Sequence, residues 1–276
     1  MMNHIDFFKM SGSGNDFIII DNRDEVINGD SINDVVKKVC RRKTSVGADG
    51  LILIHESDRA DFQWKFFNAD GSEAEMCGNG SRCAARFAYL KGISPRELSF
   101  ETLAGIIKAR ILEDTVELEM TIPKDIHLDQ TLIIEGEKHQ VNFIDTGVPH
   151  VVKFVKDTEA CQVVELGKKI RYHHQYTPAG TNVNFTSVID KTNMTVRTYE
   201  RGVEDETLAC GTGAVASALV AYLKGMVFSP VAIKTKGGEV LTVHFIPNEV
   251  GFEEVFLEGD ARVIYEGRLW DDALIG

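Results

Sequence analysis

Two segments of the chain repeat each other and limit how it can fold. Residues 77–93 and 210–226 align without a gap at an offset of 133, and nine of these 17 positions are identical. Both segments begin with Cys-Gly-x-Gly and end with Ala-Tyr-Leu-Lys-Gly before a final apolar residue. Chance can supply one such tetrapeptide, but not a second one with the same trailing sequence. The pattern therefore indicates a duplicated unit, over about 6–122 and 139–257, and predicts two similar lobes, not a solenoid.

The length of the chain agrees with two lobes. A chain of 276 residues exceeds the size of an ordinary single core. We expect an N-terminal lobe over residues 1–122, a C-terminal lobe over 123–263, and a last segment, 264–276, that returns to the first lobe as a strand. Residues 123–138 are interpreted as the connection between the lobes.

The pattern of apolar residues predicts an α/β (α+β) fold. The Ala-rich stretches 81–91 and 214–224 are apolar at helical spacing and predict one buried helix per lobe. Asp30-Ser31 offers an N-cap for a further helix that runs to about residue 42. Alternating stretches predict strands at 5–10, 17–21, 51–55, 62–67, 98–103, 106–112, 115–122, 231–235, 239–246 and 253–259. Each of the two pseudo-symmetric lobes is thus expected to be a β-rich sheet or barrel around a central helix.

The composition excludes several classes of partner. A net charge of -12 would repel nucleic acid and anionic membranes. No stretch approaches the ~20 apolar residues of a membrane span, and the first ten residues, which include Asp6 and Lys9, do not resemble a signal peptide. The odd number of cysteines, five, and the absence of a C-x-x-C pair argue against a disulfide framework and a thiolate zinc site. We therefore expect a cytoplasmic protein without a metal.

Two of the cysteines stand in matched settings. Cys77 and Cys210 each precede a predicted helix and are followed by glycines that expose backbone amides. The positive end of a helix is expected to lower the pKa of such a thiol, and the same amides can hold a carboxylate. Two facing copies of the unit would place the two thiols on opposite sides of one bound molecule. That arrangement suits the inversion of a carbon centre, in which one cysteine removes a proton and the other returns one.

A structural role has to be weighed for every cysteine. A lone cysteine before an Ala-rich helix is usually a small buried apolar residue, but two in matched glycine-flanked settings favour catalysis. Cys40 and Cys83 lie within predicted helices without glycine neighbours, so core packing is expected for them. The sequence around Cys161 indicates neither a structural nor a catalytic role. A metal site that uses Cys77 and Cys83 is disfavoured, because no further Cys/His cluster lies nearby.

Short motifs along nearly the whole chain resemble those of the diaminopimelate epimerase family. The motifs are Gly14-Asn15-Asp16-Phe17, Gly47-Ala48-Asp49-Gly50, Asn68-Ala69-Asp70-Gly71-Ser72, Met76-Cys77-Gly78-Asn79-Gly80, Pro149-His150, Gly180-Thr181-Asn182-Val183-Asn184-Phe185, Glu200-Arg201-Gly202 and Ala209-Cys210-Gly211-Thr212-Gly213. The resemblance implies an active site between two pseudo-symmetric lobes, no cofactor, and diaminopimelate as the small-molecule substrate.

The resemblance also implies roles for particular residues. Cys77 and Cys210 would be the catalytic acid/base pair, with His150 and Glu200 supporting them. The substrate-binding residues would be Asn15, Asn68, Gly78, Asn79, Asn182, Glu200, Arg201, Gly211 and Thr212. Backbone amides of Gly78-Asn79 and Gly211-Thr212 would bind the reacting carboxylate, and Arg201 can grip a carboxylate with two hydrogen bonds. Without the resemblance, the asparagines are equally explained by turns, and Glu200 and Arg201 by a solvated surface pair.

Departures from the family pattern leave alternatives open. Val148 stands where many members have Asn, Gly50 where some have Gln, and residues 202–207 form a longer and more acidic segment. The competing function is a related two-cysteine racemase that acts on histidine or proline. A relative of the phenazine-pathway isomerase or a non-catalytic binding module would not need the paired cysteines. The stretch Val263-Ile264-Tyr265-Glu266-Gly267 is similar to a family segment associated with dimers and predicts a possible homodimer.

Overall fold

A computed structural model describes residues 4–29 and 32–275. The chain divides into two compact units. Unit 1 contains the described residues up to Leu118 and those from Gly259 onwards, and unit 2 contains Glu119–Glu258. The predicted N-cap at Asp30-Ser31 lies outside the described residues.

Unit 1 is a series of strands that two helices interrupt along the sequence. Its elements are β1 (Ile5–Gly12), β2 (Asn15–Asp21), α1 (Ile32–Val39), β3 (Gly50–His55), β4 (Phe62–Asn68), β5 (Glu73–Ala74), α2 (Gly78–Leu90), β6 (Glu97–Thr102), β7 (Gly105–Ile111) and β8 (Thr115–Glu119). β1 and β2 are antiparallel, β2 and β3 parallel, and β3 and β4 antiparallel. β4 pairs with β5 antiparallel and with β6 parallel, and β6, β7 and β8 follow as an antiparallel series.

Unit 2 repeats this order of elements after one additional strand. Its elements are β9 (Lys124–Ile134), β10 (Glu137–Asp145), β11 (Pro149–Phe154), α3 (Val163–Arg171), β12 (Asn182–Val188), β13 (Asn193–Glu200), β14 (Asp205–Thr207), α4 (Gly211–Leu223), β15 (Val231–Lys234), β16 (Val240–Asn248) and β17 (Gly251–Asp260). The pairings from β10 to β17 are parallel or antiparallel in the same order as those from β1 to β8. This match is what a duplicated unit predicts.

Two strands complete the sheets. β9 pairs antiparallel with β10, the first repeated strand of unit 2. After β17 the chain forms β18 (Arg262–Leu269), which pairs antiparallel with β1, the first strand of unit 1. Short 3₁₀ turns occupy His174–Tyr176 and Asp271–Leu274. Each repeat is therefore followed in the chain by a strand that joins the first strand of the other repeat.

The interpretation of residues 123–138 as a connection was wrong, because most of them form β9. The strand is irregular, although its apolar residues Ile126, Leu128, Leu132 and Ile134 keep an alternating spacing. Asp125 and Asp129 have positive φ angles of 50° and 55°, and the register with β10 shifts at two places. Such bulges reverse which side chains face inwards, so Leu128 is 36% exposed although Leu132 and Ile134, at even spacing from it, are buried.

The central helix of each unit is buried. α4 is apolar on all sides, and the residues from Gly213 to Ala221 are all buried within a core cluster formed with the sheet of unit 2. Such a helix requires surrounding protein. α2 carries buried residues from Gly80 to Ala88 and packs on β1, β2, β3 and β7. Within residues 4–29 and 32–275, no helix combines the length and apolar character needed to cross a bilayer.

Candidate active site

Both central helices begin earlier than the sequence predicted. α2 begins at Gly78 and α4 at Gly211, three residues before the predicted starts at 81 and 214. The glycines therefore form the first helical turn instead of preceding it. Cys77 and Cys210 are the N-cap residues, with extended backbones at φ −149° and −129°. Each cysteine is thereby held beside the unpaired amides of a helix N-terminus.

In unit 1, the first turn of α2 is accessible to a ligand. The Cys77 residue is partly exposed, and its Sγ accepts a hydrogen bond from the Gly80 amide at 3.5 Å. A Cβ atom built on Gly78 would have no heavy atom within 4 Å. Free amides beside such a space form an anion-binding site when a carboxylate approaches them.

A chain of hydrogen bonds fixes two asparagines of unit 1. Arg82 Nη2 donates to Asn79 Oδ1 at 2.8 Å, and Asn79 Nδ2 donates to Asn15 Oδ1 at 2.9 Å. Asn15 Nδ2 in turn donates to Asp49 Oδ2 at 3.0 Å. This series of hydrogen bonds starts at a guanidinium, which can only donate, and ends at a carboxylate, which can only accept. The orientation of both side-chain amides is therefore determined. Sequence reasoning assigned no role to Arg82 or Asp49, although Asp49 lies in one of the quoted motifs.

Asn68, the last residue of β4, lies in a turn attached to the same network. Its Nδ2 donates to Ser72 Oγ at 3.0 Å, and its backbone amide donates to the Ser72 carbonyl at 2.9 Å. The amide of Ala69 donates to the Asp49 carbonyl at 3.0 Å. Asn68 is thus linked to Asn15 through Asp49, and the structure brings Asn15 and Asn79 into direct contact.

In unit 2, Cys210 is held in a tighter environment. Its residue is only 7% exposed, and its Sγ lies 3.6 Å from Thr212 Oγ1. A Cβ atom on Gly213 would lie 2.2 Å from Asn184 Oδ1 and 3.2 Å from the Cys210 Sγ. Glycine at 213 is therefore required for the helix start to approach the sheet.

Asn182 connects the predicted binding residues of unit 2. Its Nδ2 donates to the Pro149 carbonyl at 3.2 Å, and its Oδ1 accepts from the Arg201 amide at 2.8 Å. Arg201 Nη1 reaches the Ala179 carbonyl at 3.4 Å. Glu200 ends β13 beside this cluster, and its charge acts on the Cys210 thiol. Unit 2 thus holds Cys210 and Glu200 in one neighbourhood.

His150 is fully buried and belongs to a polar network that sequence reasoning missed. Its Nδ1 lies 3.1 Å from Asn184 Nδ2, and Asn184 Oδ1 accepts from Thr198 Oγ1 at 2.9 Å. Burial, followed by the charge of Arg201, lowers the pKa of His150 to about 3. The imidazole is therefore neutral near pH 7. The signal in the sequence was the Asn182-Val183-Asn184 spacing, since alternate residues of a strand share one face.

The prediction that the helix N-termini lower the pKa of the thiols was wrong. Burial raises the pKa of Cys77, although the amides of Gly80 and Asn79 and the charge of Arg82 act in the opposite direction. Burial, with a further contribution from Glu200, raises the pKa of Cys210 to about 12. Desolvation of a thiolate outweighs the amides of the helix start in both places. A thiolate at either cysteine would therefore have to be generated by a neighbouring base or by ligand binding.

The remaining cysteines agree with core packing or stay uninformative. Cys40 and Cys83 are buried and unpaired, as the sequence predicted. Burial raises the pKa of Cys40 to about 12 and also raises that of Cys83. Cys161 is partly exposed and unpaired. These thiols have no feature of the matched helix starts.

The structure explains two of the departures from the family pattern. A Cβ atom on Gly50 would lie 2.6 Å from both the Phe66 ring and the Phe67 carbonyl, so a side chain has no room there. The acidic residues between 202 and 207 are bound internally. Glu204 pairs with Arg171 at 3.0 Å, and Glu206 pairs with Arg197 at 2.6 Å. Val148 is partly buried in the turn between β10 and β11, and nothing in the structure explains its choice.

The fold, with a central helix in each unit, defines a structural class that solved structures share. Over 97% of this chain and 99% of the other, it resembles a Bacillus anthracis phenazine biosynthesis protein of the PhzF family, with a TM-score of 0.68 and 17% identity. It also resembles a hydroxyproline epimerase from Agrobacterium vitis, with a TM-score of 0.63 and 16% identity over 99% of this chain and 94% of the other. These likenesses establish the shared fold.

Sequence similarity identifies the family within this class. The family model for diaminopimelate epimerase matches residues 7–124 and 142–264. A protein named diaminopimelate epimerase from Aquifex aeolicus is 51% identical over 98% of this chain and 99% of its own length. The chain belongs to the diaminopimelate epimerase family.

Proposed function

We propose that this chain interconverts LL- and meso-diaminopimelate by proton transfer between two cysteines without a cofactor, as a step of lysine and peptidoglycan-precursor biosynthesis. The observation that carries the proposal is that a cysteine caps each of two corresponding helices, at Cys77 and Cys210. The relative from Aquifex aeolicus that is 51% identical is named diaminopimelate epimerase. Both cysteines also lie within the residues matched by the family model.

The chemistry needs one thiolate and one thiol. The thiolate removes the α-proton from one face of the substrate carbon and becomes a thiol. The second thiol donates its proton to the opposite face and becomes a thiolate. The C–H bond that breaks is replaced by a new C–H bond, so no oxidant or reductant is consumed. In the reverse direction the two cysteines exchange roles.

Backbone amides would stabilise the intermediate. Removal of an α-proton places negative charge on the carbon and on the adjoining carboxylate. The amides of Gly78 and Asn79, and those of Gly211 and Thr212, lie in the first turns of α2 and α4. Fixed donors at helix N-termini stabilise developing charge without reorganising during the reaction. We assign the reacting carboxylate to these amides.

Glu200 would generate the thiolate at Cys210. Burial raises the pKa of the Glu200 carboxyl, although the nearby Thr207 side chain acts against this. A raised pKa makes its carboxylate a better proton acceptor near neutral pH. When Glu200 takes the proton of Cys210, the carboxyl becomes neutral as the thiolate forms. The pair then carries one negative charge, and two adjacent negative charges are avoided. Glu200 therefore acts as the base for Cys210 in this proposal.

The distal end of diaminopimelate would be bound by polar side chains. Arg201 would hold the distal carboxylate, while Asn15, Asn68 and Asn182 would supply oriented amide groups. The fixed orientations of Asn15 and Asn182 support this assignment. Val148 cannot supply an amide, so the contact that many members make there is replaced by an apolar one.

The setting of the enzyme completes the proposal. Five unpaired cysteines suit the reducing cytoplasm. The exposed stretch Val263, Ile264 and Tyr265 on β18 supports a homodimer. We propose a cytoplasmic homodimer.

Isotope exchange tests the function directly. Purified protein incubated with LL-diaminopimelate in deuterium oxide is expected to form the meso isomer with deuterium at the inverted carbon. Cys77→Ala and Cys210→Ala are each expected to reduce epimerisation by at least about 100-fold, since each removes a proton-transfer group. Cys83→Ala, in the same helix as the Cys77 cap, is the control and should retain most activity.

The same assay separates the alternatives. L-proline and L-histidine serve as competing substrates for the two-cysteine racemase function. Inversion of either amino acid, with none of diaminopimelate, would replace the proposed substrate. Full activity in both the Cys77→Ala and Cys210→Ala proteins would reject the two-cysteine mechanism.

A further inference from the structure

Three adjacent strands of unit 2 carry a buried polar network that the mechanism above does not use. His150 on β11, Asn184 on β12 and Thr198 on β13 are 0%, 0% and 2% exposed. Asn184 lies opposite Thr198 in the antiparallel pair. The same Asn184 oxygen lies where a Cβ atom on Gly213 would collide with it, so the network lies against the start of α4. Buried polar groups of this kind must satisfy one another.

The orientation of the Asn184 amide is determined by its neighbours. Nδ2 lies 3.0 Å from the Val151 carbonyl, which can only accept. Oδ1 lies 2.9 Å from the Thr198 hydroxyl, which can donate. Turning the amide over would place two oxygen atoms against each other at Val151. The Nδ2 group therefore faces Val151 and uses one of its two N–H bonds there.

The second N–H bond of Asn184 determines which ring nitrogen of His150 carries the proton. Nδ2 also lies 3.1 Å from His150 Nδ1, and an amide nitrogen cannot accept a hydrogen bond. His150 Nδ1 must therefore be the acceptor, and the proton of the neutral ring must be on Nε2. We propose that Asn184 is a positioning residue that holds His150 in the Nε2–H tautomer, so that His150 acts as a hydrogen-bond donor and not as a proton acceptor.

The geometry excludes the role of a base while Asn184 stays in place. To take up a proton at Nε2, neutral His150 would first need its other proton on Nδ1, where it would face the N–H of Asn184. A positively charged ring would face the same conflict. The full burial of the ring and the nearby charge of Arg201 also favour the neutral form.

The Nε2–H group is available to bind an anion. Among residues 4–29 and 32–275, no protein atom serves as a hydrogen-bond partner for this buried nitrogen. A buried donor of this kind is stabilised when an acceptor reaches it. On the function proposed above, that acceptor is an anion of the reaction, either a thiolate or the substrate carboxylate. Asn184 acts only through His150 in either case.

Histidine NMR spectroscopy tests the tautomer without any measurement of activity. In protein labelled with ¹⁵N-histidine, His150 is assigned by the resonances that disappear in His150→Gln. We expect a protonated Nε2 and an unprotonated Nδ1 throughout the neutral pH range. A proton on Nδ1, or a doubly protonated ring, in the wild-type protein would overturn the proposal. An inactive enzyme with the expected spectrum would instead count against the proposed function.

Two variants link the tautomer to catalysis. Asn184→Asp replaces the donor by an oxygen that can accept from Nδ1–H, so the His150 spectrum should change to a protonated Nδ1. Its kcat for epimerisation should fall by about 100-fold, the usual effect of losing one donor to developing charge, with a smaller change in KM. Thr198→Val is the control, because the Val151 carbonyl still orients Asn184. It should keep the wild-type tautomer, and a changed tautomer there would contradict the argument.

Discussion

Cys77 and Cys210 are the N-cap residues of corresponding helices but lie in different electrostatic environments. The charge of Arg82 favours a thiolate at Cys77, whereas the charge of Glu200 opposes one at Cys210. Cys77 is also partly exposed, while Cys210 is almost covered. The two cysteines are therefore equivalent in the fold but not in their electrostatic environment and burial.

This difference predicts the order of chemical modification. Iodoacetamide attacks the thiolate form of an accessible cysteine. We expect Cys77 to be alkylated before Cys210, and its rate to rise with pH, because burial raises the pKa of the thiol and the thiolate becomes more populated as pH approaches that value. Peptide mass mapping over time and pH measures both effects.

A variant without another partly exposed thiol gives the cleanest result. Cys161→Ser removes the competing reaction at Cys161, which is also partly exposed. Buried Cys83 serves as the internal reference and should react slowly. Faster modification of Cys210 than of Cys77, or a rate at Cys77 that is independent of pH, would contradict the prediction.

At the scale of elements, the glycines of the two helix starts differ in how much space surrounds them. Gly213→Ala would push a methyl group to 2.2 Å from Asn184 Oδ1. Overpacking of this kind costs about 1–3 kcal/mol, so the urea midpoint of unfolding should fall. Gly78→Ala places its methyl group in open space and should not lower that midpoint. Equal stability of the two variants would show that α4 can move away from Asn184.

The elements that could be predicted from the sequence are those with an unbroken period. Helices α2 and α4 were evident from Ala-rich apolar stretches, but their starts were placed too late because glycine has a low helix propensity. The structure needs glycine at 213 because a Cβ atom there would collide with Asn184. β9 was missed although Ile126, Leu128, Leu132 and Ile134 alternate, because polar residues fill most of the segment between them. Its bulges near Asp125 and Asp129 are visible only in the structure.

The site was predictable only where a motif or a repeat marked it. The paired cysteines stand out because the same tetrapeptide occurs twice. Asn184 and Thr198 do not, since each looks like an ordinary polar residue within a strand. Their importance comes from the pairing of β12 with β13, and single-sequence patterns do not specify which strands are neighbours. The direction of the thiol pKa shifts was missed for a similar reason, because burial depends on the packed structure.

At the scale of the whole molecule, the exposed apolar residues of β18 predict association. Ile264 is 54% exposed and Tyr265 45%. We expect a dimer in sedimentation velocity experiments, and we expect Ile264→Glu to shift it towards monomer, because a charge in an apolar interface is costly to bury. Ile133→Glu, at a residue that is 53% exposed on β9, is the matched control. A monomeric wild-type protein would reject the prediction.

The position of β18 gives the chain an order of completion during translation. Unit 2 is one continuous segment, so all of it has been synthesised once Glu258 has been added to the chain. The older half of the nascent chain, unit 1, still lacks the strand that pairs with β1. The part that is made first can therefore be finished only last, and a chain truncated just before β18 would contain all of the second unit but leave an open edge on its first.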